Sequence, residues 1–326
     1  MNDLYPMKFT PIFKEKIWGG QKIRTGLGLD FSPLPNCGEA WVLSGVSGSE
    51  TKVSNGFLKE NGINELLEVY MDDLVGEKAF SSSKDEFPVL VKFIDPNDWL
   101  SIQVHPDDDL AARRRIGRGK SEMWYILSAT PGAELISGFS REVTQKVYLD
   151  MLEQKRLREV LNTEPVKAGD VFYMPAGRVH ALGPGILLAE IQQTSDTTYR
   201  IYDWDRVDAE GNTRELHTDL ALEAIDFKVY DSYRVNYRHK MNLTENLVTC
   251  HAFTTNILEF NKPVDKDLSH LDSFIIYLCT EGEFTLAWPD GREPVKKGEV
   301  ILLPAILEKA LLLPKPEATV LEIYLA

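Results

Sequence analysis

The sequence predicts a mainly β protein built from two related small β-barrels with a few short helices. Three observations predict it. The first is an internal repeat. Val166-Lys-Ala-Gly-Asp-Val-Phe-Tyr-Met-Pro-Ala176 returns as Val295-Lys-Lys-Gly-Glu-Val-Ile-Leu-Leu-Pro-Ala305, with nine of eleven positions identical or similar at a constant offset of 129 residues. Each copy reads as a tight turn, a strand and a Pro-ended turn, and each follows a β-like segment, 123–127 or 274–278. The second is Leu100-Ser-Ile-Gln-Val-His-Pro106, whose apolar and polar residues alternate with the period of a strand. The third is the stretch 246–326, which reads as closely spaced strands with turns at Thr280-Glu-Gly282, Pro289-Asp-Gly291 and Lys297-Gly298. A larger unit over 1–240 and a smaller barrel over 241–326 are expected.

The elements follow in order. Residues 1–60 read as short strands and turns, with a Gly pair closing Lys16-Ile-Trp-Gly-Gly20 and a strand at Cys37–Leu43. Trp18 with its two glycines looks like a close-packed turn near the barrel. The spacing of Ile63, Leu66, Leu67, Tyr70, Met71 and Leu74 predicts one amphipathic helix over 62–80, followed by a Ser81–Ser83 loop. Phe87–Ile94 is a strand. After Pro106, Asp107-Asp-Asp109 can cap a short helix, on which Arg113-Arg-Arg115 is read as a solvated face. Glu122–Leu127 is a strand with Glu122, Trp124 and Ile126 on one face. A helix is expected over 141–161, strands at Asp170–Met174, Leu187–Gln193 and Thr198–Tyr202, a polar loop over 207–214 and a helix over 215–226. From about 228 to 245 the chain is polar and irregular, as a linker would be.

Bulk properties narrow the function. The 326 residues carry 43% hydrophobic and 26% charged side chains, an ordinary globular mix. A net charge of -14 argues against a nucleic-acid binder with a broad basic face, though a local Lys/Arg cluster can still hold a phosphate. Cys37, Cys250 and Cys279 are odd in number and lack CxxC spacing, so buried thiols in a reducing compartment are expected rather than disulfides. No apolar run approaches a membrane span and the N-terminus has no signal-peptide pattern, so a cytoplasmic protein without membrane partners is expected.

The strand 100–106 is where chemistry begins. Its polar face presents Ser101, Gln103 and His105 in a row, a poor filling for a dry core. Glu122 opens another strand. His180 follows a turn in the first repeat copy, and the equivalent position of the second copy is Lys309. One barrel keeps an imidazole and the other does not, so a single functional barrel is expected. Gln103, His105, Glu122 and His180 offer an amide oxygen, two imidazoles and a carboxylate, a donor set suited to Zn²⁺ or another first-row divalent ion. His217, His239, His251 and His270 have no partner spacing and are read as structural.

With these stretches, and with Gly119-Lys-Ser-Glu-Met-Trp124, Pro175-Ala-Gly-Arg-Val-His180 and Ala189-Glu-Ile-Gln-Gln-Thr-Ser-Asp-Thr-Thr-Tyr-Arg200, the chain resembles the type I mannose-6-phosphate isomerases, two-barrel proteins of the cupin superfamily. The resemblance runs from about Phe9 to the C-terminus. It implies two cupin-type jelly rolls, one zinc ion per chain on Gln103, His105, Glu122 and His180, an active-site Arg at Arg200, and a neighbouring Lys and Glu at Lys120 and Glu190. The chain lacks the large inserted helical domain of the longer members, as the short bacterial forms do.

The implied reaction interconverts mannose 6-phosphate and fructose 6-phosphate by proton transfer through an enediolate. Arg200 would stabilise the charge and Glu190 carry the proton; a buried ion pair holding Arg200 is the other reading of Glu190. Lys120 would touch the phosphate or act on the proton, or be a solvated loop residue. Ser101 would hydrogen-bond the substrate or satisfy a turn. Trp204 is read as packing, and Arg206 as a phosphate ligand or the partner of Asp203 or Asp205. The expected partner is a small sugar phosphate, with the chain a monomer or homodimer. Two alternatives are an Fe(II) cupin oxygenase, since two His and a Glu also fit that triad, and a sugar-phosphate-binding protein without catalysis.

Overall fold

The two repeat copies fold alike. In the computed structural model, which describes residues 4–83, 85–208 and 210–325, each begins with a turn whose glycine, Gly169 or Gly298, has φ of 85°. That left-handed conformation is costly for other residues and explains why both copies of the repeat carry Gly there. The strands that follow, Val171–Met174 and Val300–Leu303, pair antiparallel with Glu122–Ala129 and Ile275–Trp288 in matching registers.

The chain is mainly β and its strands are arranged in three antiparallel sheets. A six-stranded sheet runs in the order Val171–Met174, Glu122–Ala129, Ile186–Gln193, Val89–Ile94, Glu39–Leu43, Ile12–Lys14. A five-stranded sheet runs Tyr199–Tyr202, Ile102–Val104, His180–Leu182, Glu134–Phe139, Leu161–Pro165. These two belong to the N-terminal part. Seven strands of the C-terminal part form a nine-stranded sheet with two lent by the N-terminal part: Met7–Thr10 pairs with Val300–Leu303, and Lys52–Val53 pairs with Met7–Thr10. A continuous core joins the parts, with the Phe87 and Phe274 rings 4.7 Å apart. We propose the division near residue 240 because the chain between Ala224 and Thr244 has no helix or strand to bridge it.

Several expectations from the sequence change in detail. The helix expected over 62–80 is interrupted twice: Ile63–Val75 kinks at Met71, whose φ is 49°, and Glu77–Ser82 is separate, so the serines are helical up to Ser82. The second break falls at Gly76, where a Cβ would stand 2.4 Å from the Asp272 carbonyl oxygen, and the Asp272 carboxylate accepts from the Glu77 and Lys78 amides. A contact from the C-terminal part overrides the local periodicity. The helix expected over 141–161 covers only Gln145–Glu153, capped by Thr144; a short 3-10 turn and the strand Leu161–Pro165 follow. The strand Glu134–Phe139 was not among the expected elements. Asp107 caps the helix Asp108–Arg114 as expected, accepting from the Leu110 amide at 2.8 Å.

Candidate metal and active site

The six- and five-stranded sheets face one another, and the site lies between them. Strand alternation does the positioning. From the five-stranded sheet, Gln103 stands directly opposite both His180 and Arg200 in adjacent strands. His105 follows two residues on. From the six-stranded sheet, Glu122 lies at the strand start, and Glu190 lies opposite Trp124 on one side and Lys92 on the other. All four candidate ligands meet. His180 Nε2 is 3.3 Å from Glu122 Oε1, and His105 Nε2 is 3.5 Å from Glu122 Oε2. The Gln103 amide nitrogen is 3.2 Å from His180 Nε2, and a half-turn of the amide would present its oxygen instead.

Each imidazole is oriented from behind. His105 Nδ1 donates to the Thr197 carbonyl at 3.0 Å and His180 Nδ1 to the Arg178 carbonyl at 2.8 Å. That leaves both Nε2 lone pairs turned inward. Burial, then the Lys120 charge, pushes His105 well below the ordinary imidazole range. Burial pushes His180 down to about 3, with Lys120 adding to it. Burial and the Glu190 charge push Glu122 the other way, above the carboxylate range. Thus acceptors crowd together. Neither Glu122 oxygen nor His105 Nε2 finds a donor, though all three are buried. Such orphaned atoms are costly in a dry interior. The ligating atoms of His105, Glu122 and His180 lie within 4.8 Å of one another, the only such group among the described residues. A divalent cation answers every one of these features.

Beside the cluster opens a cavity of about 310 Å³. It is lined by Ser101, Lys120, Glu190 and Arg200, so the remaining candidates converge on one space. That volume is within the ordinary range for a small-molecule pocket. Lys120 is buried, with Nζ 3.7 Å from Glu122 Oε2. Arg200 Nη1 donates to the Glu215 carbonyl, while its buried Nε has no partner. Burial and the neighbouring Arg214 charge lower its affinity for its proton. Glu190 does not hold Arg200. Its Oε2 accepts from the Trp124 indole at 2.8 Å, and its Oε1 lies 2.8 Å from Lys92 Nζ.

Sequence reasoning missed four residues here: Lys16, Glu39, Lys92 and Arg214. Glu39, held down to about 2 by Lys92 and Lys16 against the effect of burial, extends the Lys92–Glu190 pair into a chain of alternating charge. Trp18, read from the sequence as part of a close-packed turn, also lines the cavity. Arg206 is engaged by Asp203 and Asp98. Trp204 packs on Trp99 and donates to the Leu100 carbonyl. His217 supports the same strand, its Nδ1 accepting the Arg200 amide at 3.0 Å.

The second repeat keeps part of this design. By register, Tyr277 stands where Trp124 stands, Glu322 where Glu190 stands and Asn256 where Lys92 stands. The Tyr277 hydroxyl donates to Glu322 at 2.8 Å, as Trp124 donates to Glu190. But Ile275 replaces Glu122, and Lys309 replaces His180. The carboxylate survives there without the ligands.

Fold and cluster together define a cupin-fold protein with a candidate metal centre between its two N-terminal sheets. A family model for the phosphomannose isomerase type I catalytic domain matches residues 7–130. The mannose-6-phosphate isomerase ManA of Bacillus subtilis is 37% identical over 305 residues, covering 92% of this chain and 93% of its own. The mannose-6-phosphate isomerase of Streptococcus mutans is 40% identical over 212 residues, 65% of each chain. A crystal structure of mannose 6-phosphate isomerase from Bacillus subtilis matches with a TM-score of 0.87 at 32% identity, covering 98% of this chain and 99% of that one. The chain belongs to the type I phosphomannose isomerase family.

Proposed function

We propose that the chain is a zinc-dependent isomerase interconverting mannose 6-phosphate and fructose 6-phosphate. The observation that carries this reading is the buried His105–Glu122–His180 cluster opening onto a cavity shared by Lys120, Glu190 and Arg200, in a chain 37% identical to ManA. Gln103, His105, Glu122 and His180 would hold one zinc ion, which when bound supplies Lewis-acid polarisation of the sugar oxygens.

The chain's own residues do the rest. The reaction moves a proton from C2 of the aldose to C1 of the ketose, while a hydroxyl proton passes from O2 to O1. Negative charge develops on the two oxygens between these steps. Arg200 presents a fixed cation to that charge at the cavity wall. Glu190 carries the carbon-bound proton, its charge balanced by Lys92 and its carboxylate aimed by Trp124. Lys120 binds substrate oxygen beside the metal ligands, and the Ser101 hydroxyl donates a further hydrogen bond. Arg214 borders the cavity beside Arg200, its guanidinium paired with Asp203.

The chain acts as a monomer or a homodimer. We place the reaction in the cytoplasm, where the three free thiols stay reduced.

The test is turnover of mannose 6-phosphate after chelation and reloading with zinc, iron or manganese, followed with an oxygen electrode. Isomerisation restored by zinc without oxygen uptake supports the reading. Oxygen consumption by the iron form, with no isomerisation by any form, supports an oxygenase instead.

A further inference from the structure

The loop that brings Lys120 into the cavity is held from outside the cavity. Three consecutive amides are anchored. Lys120 N–H donates to the Pro106 carbonyl at 3.0 Å. Gly119 N–H donates to Asp108 Oδ1 at 2.8 Å. Ser121 N–H donates to Gln193 Oε1 at 2.8 Å, and the Gln193 Nε2 donates in turn to Asp108 at 3.1 and 3.2 Å. One carboxylate therefore fixes both neighbours of Lys120, one directly and one through Gln193. The approach is close: a Cβ on residue 119 would stand 2.6 Å from the Asp108 nitrogen, so only glycine fits there.

Asp108 has one more partner. His251 Nε2 lies 2.9 Å from Asp108 Oδ2. His251 belongs to the turn between Thr244–Thr249 and Thr254–Phe260, strands of the C-terminal sheet. Asp108, Gln193 and His251 border a separate cavity of about 320 Å³, not the one that receives Lys120. Asp108 thus lies behind the loop, out of reach of the substrate.

We propose that Asp108 is a positioning residue for the isomerisation: it sets the backbone on both sides of Lys120, and the C-terminal barrel, through His251, braces it. This gives the barrel without metal ligands a part in catalysis. The inference rests on the place of Lys120 in the proposed reaction. A side chain misplaced by about 1 Å through a distant change can cost on the order of 100-fold in rate.

The experiment is a double-mutant cycle on the full-length, zinc-loaded protein. Asp108→Ala is expected to lower kcat/KM for mannose 6-phosphate by about 10- to 100-fold with zinc content retained. Asp108→Asn, which keeps shape and one acceptor oxygen, is expected to lose less, and it remains informative if the alanine variant does not fold. In a Lys120→Ala background either change is expected to add less than about twofold, because the group it positions is gone. Hydrogen exchange over residues 117–121 is expected to quicken in the Asp108 variants. His251→Ala is expected to cause a smaller loss that His251→Gln, with its amide donor, restores.

Two results overturn the inference while leaving the proposed reaction intact: wild-type kcat/KM in a folded, zinc-loaded Asp108 variant, or an Asp108 loss that multiplies in full on that of Lys120→Ala. Wild-type turnover by Lys120→Ala alone would instead remove the role of Lys120, and the inference with it.

Discussion

Lys92 and Glu190 form a buried ion pair across adjacent strands, with Nζ 2.8 Å from Oε1 and side chains 8% and 3% exposed. Burial favours the neutral amine, but the Glu190 and Glu39 charges outweigh it and hold Lys92 protonated. Removing one member strands the other in a dry interior. Lys92→Met is expected to cost roughly 3–5 kcal/mol of stability. Urea unfolding of the metal-loaded protein measures it. Turnover should fall as well, because the carboxylate at 190 loses its balancing charge. A stability change within about 0.5 kcal/mol, the range of an ordinary surface substitution, would show that the pair is not needed.

Metal uptake should depend on pH through Glu122. His105 and His180 have lowered values and are neutral at pH 7 before metal arrives. Glu122 has a raised value, so metal binding must displace its proton. Protonated Glu122 competes with metal as pH falls, so affinity rises with pH through the range between the ordinary carboxylate value and the raised one, by up to about tenfold per pH unit. Chelator competition at several pH values reads this slope. Calorimetry in buffers of different ionisation enthalpy reads the released proton. In Glu122→Gln the slope should flatten.

Arg200 is assigned to charge stabilisation, so its loss should appear in kcat more than in metal binding. Arg200→Lys keeps a cation but not the fork that reaches the Glu215 carbonyl. A fall in kcat of about 100-fold or more is expected, the size seen when a preorganised donor is removed. Zinc content should be unchanged. Zinc loss with normal kcat per bound zinc would contradict the assignment.

The C-terminal sheet gives the converse case. Tyr277 is fully buried and donates to Glu322, which Lys266 also meets at 2.6 Å. Tyr277→Phe leaves a buried carboxylate short of a donor and is expected to cost about 1.5–3 kcal/mol. Zinc content and kcat of the folded fraction should not move, since the matching ligands are absent from this half and the His251–Asp108 contact is left in place.

Much of the site was legible because strand periodicity and the repeat carry positional information. Alternation put Ser101, Gln103 and His105 on one face, and the repeat singled out His180 by contrast with Lys309. Lys92 was not legible. It sits alone in the apolar run Phe87–Ile94, and its partner lies far along the chain, joined only by strand register. Arg214 was hidden in a polar loop where any charge reads as solvated. The same limit applies to the fold. The lending of Met7–Thr10 to the distant Val300–Leu303 strand, and the break at Gly76 under Asp272, are set by long-range contacts with no local pattern.

Turnover of mannose 6-phosphate by wild-type protein and His180→Ala, with zinc per chain determined on the same samples, decides whether the buried cluster drives isomerisation. His180 contributes a buried lone pair to the cluster and touches Glu122 at 3.3 Å. One zinc and conversion to the fructose 6-phosphate equilibrium are expected for the wild type. Weak zinc binding and no measurable isomerisation are expected for a folded His180→Ala, as the role of the metal site requires. Isomerisation by His180→Ala at the wild-type rate, or a folded, zinc-loaded wild type that leaves mannose 6-phosphate untouched, would contradict it.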